Sequence, residues 1–205
     1  MSTVAAPYGL RAVNNIGGLP YAGVTRQIPI ASGYGVNIFN GSIVVINSTG
    51  TLEIMATPSL GTAANPFPAG TIGVFVGCEY TNPGTKQKIR SQYWPTGTVA
   101  ADAVAYVIDD DRVMFQAQCD GALTAAKLGK NINLAAVQST STGNTTTGNS
   151  TSALSASSAA STTGISLRVV GFPDMVGFSA AGDTYTDVYV KINPVAHSYS
   201  NPLAV

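Results

Sequence analysis

The side chains able to do chemistry are few and scattered. His197 is the single histidine, set in Val195-Ala196-His197-Ser198-Tyr199 with no base, acid or metal ligand beside it in sequence. A Ser-His-Asp relay would have to run through this one residue. Cys78 and Cys119 each lie in or just past an apolar run, outside any CxxC spacing. A free cysteine there behaves as a small buried hydrophobe, and two cysteines allow one disulfide at most. Asp109-Asp110-Asp111 offers oxygen ligands of the kind calcium takes. Adjacent carboxylates in a tight turn cannot all face one ion, however, and no EF-hand spacing follows, so a solvated turn is expected. Lys86, Lys88 and Arg90 share one face of a period-two run that Gln92 and Trp94 continue. Such a stripe serves either as a solvent face with snorkelling stems or as a cationic contact for a partner. No Gly-x-Ser-x-Gly, P-loop or dinucleotide fingerprint is present. This inventory predicts no catalytic residue, no cofactor, no metal and no enzymatic activity.

The elements that must position these residues read as strands. Val24 to Ile30 is a short candidate whose Pro29 suits a sheet edge. Ser42 to Asn47 and Thr51 to Met55 flank Ser48-Thr49-Gly50, a hairpin signal. Thr71 to Tyr80 alternates, which places Ile72, Val74, Val76, Cys78 and Tyr80 on one face. Lys86 to Trp94 follows. Asp102 to Ile108 and Arg112 to Gln118 flank the acidic turn, predicting a second hairpin. Ile165 to Gly171 and Thr186 to Asn193 close the series, with Val188, Val190 and Ile192 inward and Asp187, Tyr189 and Lys191 outward. Helical signal is confined to Leu123 to Leu128, where Thr124 offers an N-cap and Gly129 a stop. About eight short strands at turn-separated intervals predict an all-β, antiparallel β-barrel or β-sandwich.

Composition narrows the function classes. Only 10% of the 205 residues are charged, against 45% hydrophobic, and the formal net charge is zero. An ordinary domain is about one-quarter charged. A surface so poor in charge is covered by Ser, Thr, Asn, Gly and backbone, or hidden against partners, because charge is depleted at interface cores. Neutrality gives no electrostatic reason to bind nucleic acid or anionic lipid. No apolar run approaches the roughly 20 residues needed to span a bilayer, and Met1 to Pro7 does not read as a secretory signal. The expected partners therefore exclude nucleic acid and membrane.

Two segments stand apart from the strand pattern. Residues 1–35 are broken by glycine and proline yet carry Tyr8, Leu10, Val13, Ile16, Leu19 and Tyr21. They read as an extended N-terminal arm that lies in a neighbour's groove or wraps its own domain, with residues 36–205 forming the body. The tract 139–163 contains only Ser, Thr, Gly, Asn and Ala apart from Leu154. It reads as a flexible linker by composition. Long structureless loops inside a domain are uncommon unless functional, so a surface excursion that contacts a partner is the stronger expectation.

The run Ala6-Pro7-Tyr8-Gly9-Leu10-Arg11, then Gly17-Gly18, then Arg26-Gln27-Ile28-Pro29-Ile30 and Ala31-Ser32-Gly33-Tyr34 resembles the openings of head decoration (cement) proteins of tailed bacteriophages. The resemblance implies a β-barrel or β-sandwich body on the outer surface of the virion's capsid, bound to the major capsid protein. It implies self-association too, a trimer before a dimer, and stabilisation of the shell without catalysis. The candidate partner-binding residues are Tyr8, Leu10, Arg11, Ile16, Leu19 and Tyr21 of the arm, with Lys86, Lys88, Arg90 and Trp94 of the body. A carbohydrate- or host-binding β-module is the competing reading, with Tyr93, Trp94, Tyr185 and Tyr189 as its aromatic platform.

Overall fold

A computed structural model describes residues 3–55, 59–139, 141–173 and 179–202. The described residues form thirteen strands: β1 (Arg11–Asn15), β2 (Arg26–Pro29), β3 (Ile38–Phe39), β4 (Ile43–Ile46), β5 (Leu52–Ile54), β6 (Thr71–Thr81), β7 (Lys88–Ser91), β8 (Tyr93–Trp94), β9 (Val104–Ile108), β10 (Val113–Gln118), β11 (Asn131–Ile132), β12 (Leu167–Gly171) and β13 (Asp187–Ile192). The only helical turns among them are two short 3₁₀ segments, Ala125–Lys127 and Ala156–Ser158. Thr124 precedes the first but makes no side-chain cap. No helix among the described residues is long and apolar enough to cross a membrane.

Sheet 1 runs β1-β10-β13-β12-β11 and sheet 2 runs β2-β9-β6-β4-β5, with β7 also paired to β6 and β3 paired to β8 as a separate ribbon. All these strand pairs are antiparallel. Both sheets are open, so the architecture is a β-sandwich and not a closed barrel. The strand count exceeds the eight expected because several elements of two to four residues interrupt what reads in sequence as loop.

Two cores result. The first joins the inner face of sheet 1 (Val113, Phe115, Leu167, Val169, Val188, Val190) to Ile43, Val74 and Ile108 of sheet 2. The second lies on the other face of sheet 2, built on Val44, Phe75, Val107 and Trp94. Consecutive residues of β4, β6 and β9 therefore serve opposite cores, and sheet 2 is the wall between them.

β6 corrects the expected one-face alternation. Ile72, Cys78 and Tyr80 belong to the second core, while Val74 lies in the first and Val76 packs against it. The pairing of β6 slips opposite Val44–Val45 and again between Phe75 and Gly77. Each such bulge adds a residue and reverses the facing of everything after it. Gly73 permits the first: its φ is +149°, and a Cβ there would lie 1.9 Å from the Ile108 carbonyl oxygen.

The Ser48-Thr49-Gly50 hairpin forms as expected, with Val44, Val45 and Ile46 opposite Ile54, Glu53 and Leu52. The second expected hairpin does not. β9 pairs with β2 and β6, while β10 pairs with β1 and β13, so the Asp109–Asp111 turn is a corner that carries the chain between sheets. β13 keeps its predicted alternation, with Val188, Val190 and Ile192 inward.

The tract 139–163 is not an outward excursion. Ser150, Ser152, Leu154 and Ala159 are buried. Ser150 N–H donates to Asn40 O at 2.8 Å, Leu154 N–H to Gln118 O at 3.0 Å, and Asp120 N–H to Leu154 O at 2.8 Å. Gln138, fully buried just before the tract, uses its side-chain amide as a surrogate backbone: Oε1 accepts from Ile43 N–H at 2.9 Å and Nε2 donates to Ile43 O at 3.0 Å. Short hydroxyl side chains satisfy the tract's own turns, as where Thr142 Oγ1 accepts from Ser139 N–H and donates to Ser139 O. That local satisfaction lets a chain poor in apolar residues pack without a regular ladder.

Candidate partner-binding surface

Residues 3–35 lie along their own body in this chain. Ala6 N–H donates to Gln118 Oε1 at 2.7 Å, Leu10 N–H to Gly41 O at 2.9 Å, and β1 and β2 extend the edges of sheets 1 and 2. Gly9, at φ +74°, marks the tightest approach: a Cβ would meet Gly41 O and the Ser150 side chain, each at 2.7 Å. The N-terminal segment, the β3–β4 turn and the Ser/Thr tract thus converge on one point.

This placement sorts the arm's candidates. Leu10 is only 2% exposed and belongs to the first core, so it is corrected from a contact residue to a structural one. Tyr8 is half-buried and carries the exposed Arg11 guanidinium 4.8 Å above its ring. Burial, then the Asp187 carboxylate, push the Tyr8 hydroxyl pKa up, so the ring stays neutral. Tyr21 packs against the first core and donates to Val24 O at 2.7 Å.

Ile16 and Leu19 face outward, 42% and 67% exposed. Their loop is held by its backbone: Asn15 N–H donates to Leu19 O at 2.9 Å and Ile16 N–H to Arg112 O at 2.8 Å. Val24, 70% exposed and absent from the sequence-based candidates, lies on the same connection from β1 to β2. Its signal was available in the uncharged run 12–25, which separates Arg11 from Arg26.

The body candidates do not form the expected open cationic stripe. Lys86 lies outside β7, exposed in the preceding turn at φ +59°. Lys88 and Arg90 do share the exposed face of β7, but both pair with Glu79 on the neighbouring β6, the latter through Nε at 2.6 Å. Tyr106 OH adds a third donor to Glu79 at 3.2 Å. The Lys88 and Arg90 hydrogen bonds, chiefly, hold the Glu79 carboxyl down to about 2. Trp94 is fully buried, donates from Nε1 to Tyr34 O at 3.2 Å, and meets Tyr80 edge-on at 5.4 Å. It is therefore a core anchor and is removed from any partner or glycan surface. Tyr93 stacks on Phe39 at 5.6 Å, while Tyr185 and Tyr189 are half-buried.

The remaining titratable and nucleophilic candidates lie mostly in the interior. His197 is 1% exposed and its Nδ1 accepts from Tyr199 N–H at 3.2 Å. Burial lowers its pKa, with Asp111 and Asp109 pulling the other way. Ser200 Oγ donates to Asp111 Oδ2 at 2.7 Å and so is not aligned on the imidazole. Arg26 pairs with Asp109 at 2.7 Å and donates to Tyr199 OH at 2.6 Å, which ties the C-terminal segment to the sheet-crossing turn. Cys78 and Cys119 are free, buried in the second and first core respectively, and burial pushes both thiols up to about 12. No group of three or more His, Cys, Asp or Glu among the described residues is placed to hold a metal ion.

No family model, curated protein or solved structure matches this chain.

Proposed function

We propose that this protein is a capsid decoration (cement) protein that binds the outer surface of a phage head, self-associates there and stabilises the shell. The observation that carries the reading is the uncharged connection from β1 to β2, on which Ile16, Leu19 and Val24 are 42%, 67% and 70% exposed and whose first turn is closed by backbone hydrogen bonds at Asn15 and Ile16. Exposed apolar residues clustered on one element mark contact sites when they form a continuous patch. A neutral contact of this kind is insensitive to salt, since there is little charge to screen. Binding the assembled particle but not its separated subunits stabilises the particle by mass action. The sequence resemblance over residues 6–34 points the same way, and this connection falls inside that span.

Burial of Trp94 weighs against the glycan-binding alternative, because it removes the largest ring from the platform. The test is sedimentation of the pure protein alone and with protein-stripped heads. Saturation at a fixed copy ratio, by a discrete oligomer, is the expected result. A monomer that ignores the heads at high protein concentration contradicts the reading.

A further inference from the structure

The outer face of sheet 1 carries cations that its own chain does not answer. Asn131 of β11 stands directly opposite Arg168 of β12, and Arg168 directly opposite Lys191 of β13. Opposed residues leave the same face of a sheet. Their neighbours Leu167, Val169, Val190 and Ile192 are buried, so this row lies on the outer face. Two like charges placed opposite each other destabilise a strand pair. Among the described residues the ion pairs are made by Arg26, Lys88 and Arg90, and Arg168 and Lys191 have none. Lys127 and Lys130 lie in the turn before β11, where their Nζ atoms already donate to Ala159 O at 2.8 Å and to Ser161 Oγ at 2.5 Å. These residues are four of the chain's ten cations, and the stretch 131–167 that they border contains no acid.

A cleft of about 290 Å³ opens at this row, lined by Arg168, Asn131, Asn193, Ile165, Pro194 and Val195 among others. Asn131 Oδ1 accepts from Arg168 Nε at 3.1 Å and from Asn193 Nδ2 at 3.2 Å. Asn131 is itself fixed by its Nδ2, which donates to Thr162 O at 2.9 Å. The guanidinium is thus oriented through Nε, and its two terminal amino groups have no hydrogen-bond partner among the described residues. A planar pair of N–H donors is the geometric complement of a carboxylate. Ile165, Pro194 and the 57% exposed Val195 provide apolar contact for a short methylene stem.

We infer that this cleft binds a carboxylate, and that the carboxylate is an Asp or Glu side chain in an acidic segment of a partner polypeptide. The spread of the cations decides the source. One small acid answers Arg168 alone, whereas an extended acidic segment seated at the cleft also meets Lys191, which stands directly opposite Arg168. The inference does not rest on the capsid reading, since it concerns a different face from the Ile16–Val24 loop and is tested without heads.

The experiment measures fluorescence anisotropy of a labelled Glu-Ser repeat peptide on the purified full chain. The Gln-Ser peptide, free glutamate and sialyllactose serve as comparators. The Glu-Ser peptide is expected to bind, more weakly as salt rises, and the Gln-Ser peptide not to. Arg168→Gln should weaken binding roughly ten- to a hundredfold, the loss expected for charge-assisted hydrogen bonds, and Arg168→Lys by less. Lys191→Gln relieves the like-charge pair, so it should fold at least as well as wild type and still bind the peptide more weakly. Lys86→Gln, in the exposed turn before β7 of the other sheet, should bind as wild type. Absence of peptide binding, or binding indifferent to both Arg168→Gln and Lys191→Gln, overturns the site. Tighter binding of free glutamate or sialyllactose than of the peptide overturns the polypeptide assignment.

Discussion

Truncating Leu154 to alanine measures whether the Ser/Thr tract is part of the folded body. Leu154 is fully buried in the first core and bridges Cys119 on one side and Leu134 on the other. It is also the one large apolar side chain of the stretch 139–163. Removing three carbons forfeits about 2.4 kcal/mol of transfer energy at about 0.8 kcal/mol per methylene. The void left among the residues of the first core adds to this, as buried Leu→Ala changes cost about 2.7–5 kcal/mol in all. We expect a loss of about 3 kcal/mol or more, which for a domain of this size lowers Tm by roughly 6–12 °C. Thermal and urea unfolding should agree, with the urea midpoint falling and its slope unchanged. Thr146→Ala, on an exposed turn of the same tract, is the control and should stay within about 0.5 kcal/mol. A Leu154→Ala loss under about 1 kcal/mol would mean that the tract is not packed on the sheets and that the account of its burial is wrong.

Three further outcomes follow from the same geometry. Glu79 is held at about 2 in the fold against an ordinary 4.5, so the unfolded chain takes up its proton first as pH falls. The stabilisation is complete above about pH 4.5 and is lost toward pH 2; acid-unfolding curves of Glu79→Gln should be flatter across that window, and identical slopes would remove Glu79 from the account. Cys78 and Cys119, buried in separate cores with thiols near 12, should be unreactive toward a thiol reagent in the native protein and both titrate in denaturant. Recovery of fewer than two thiols under non-reducing denaturation would indicate a bridge that this fold does not allow. Gly73→Ala places a methyl 1.9 Å from the Ile108 carbonyl oxygen, a backbone clash that no rotamer relieves, and should leave little soluble folded protein; a normally folded variant would show that the β6 bulge is not fixed at that position.

Strand identity was legible where alternation was uninterrupted. β13 and the β4–β5 hairpin follow from period two and one Gly-containing turn, because each strand there serves one buried face. β6 misleads for a physical reason: two bulges reverse its facing, and a glycine in a strand signals a bulge without saying which way the chain emerges. The Asp109–Asp111 turn misleads because a tight acidic turn serves equally well within a hairpin or between two sheets; only the pairing of β9 and β10 with other partners distinguishes them. Trp94 and Leu10 look like surface residues in the sequence because neither the ribbon of β3 and β8 nor the contact at Gly41 has a local signature. The composition of the Ser/Thr tract points to exposure, whereas its burial depends on the Asn40 and Gln118 carbonyls and on Ile43, which Gln138 reaches across the fold, all distant in sequence. The Arg168–Lys191 opposition likewise needs strand register, which the sequence does not state.

The claim that matters most is that the uncharged loop after β1 is a contact surface. Its most direct test is quantitative co-sedimentation of wild type and the Leu19→Ser/Val24→Ser double variant with protein-stripped heads. Both side chains are at least two-thirds exposed, so the variant should unfold at the wild-type temperature. The account predicts saturable wild-type binding and a loss of roughly tenfold or more in the variant, from two apolar side chains worth about 1.5–3 kcal/mol each when fully buried. Equal binding by the two proteins would contradict it.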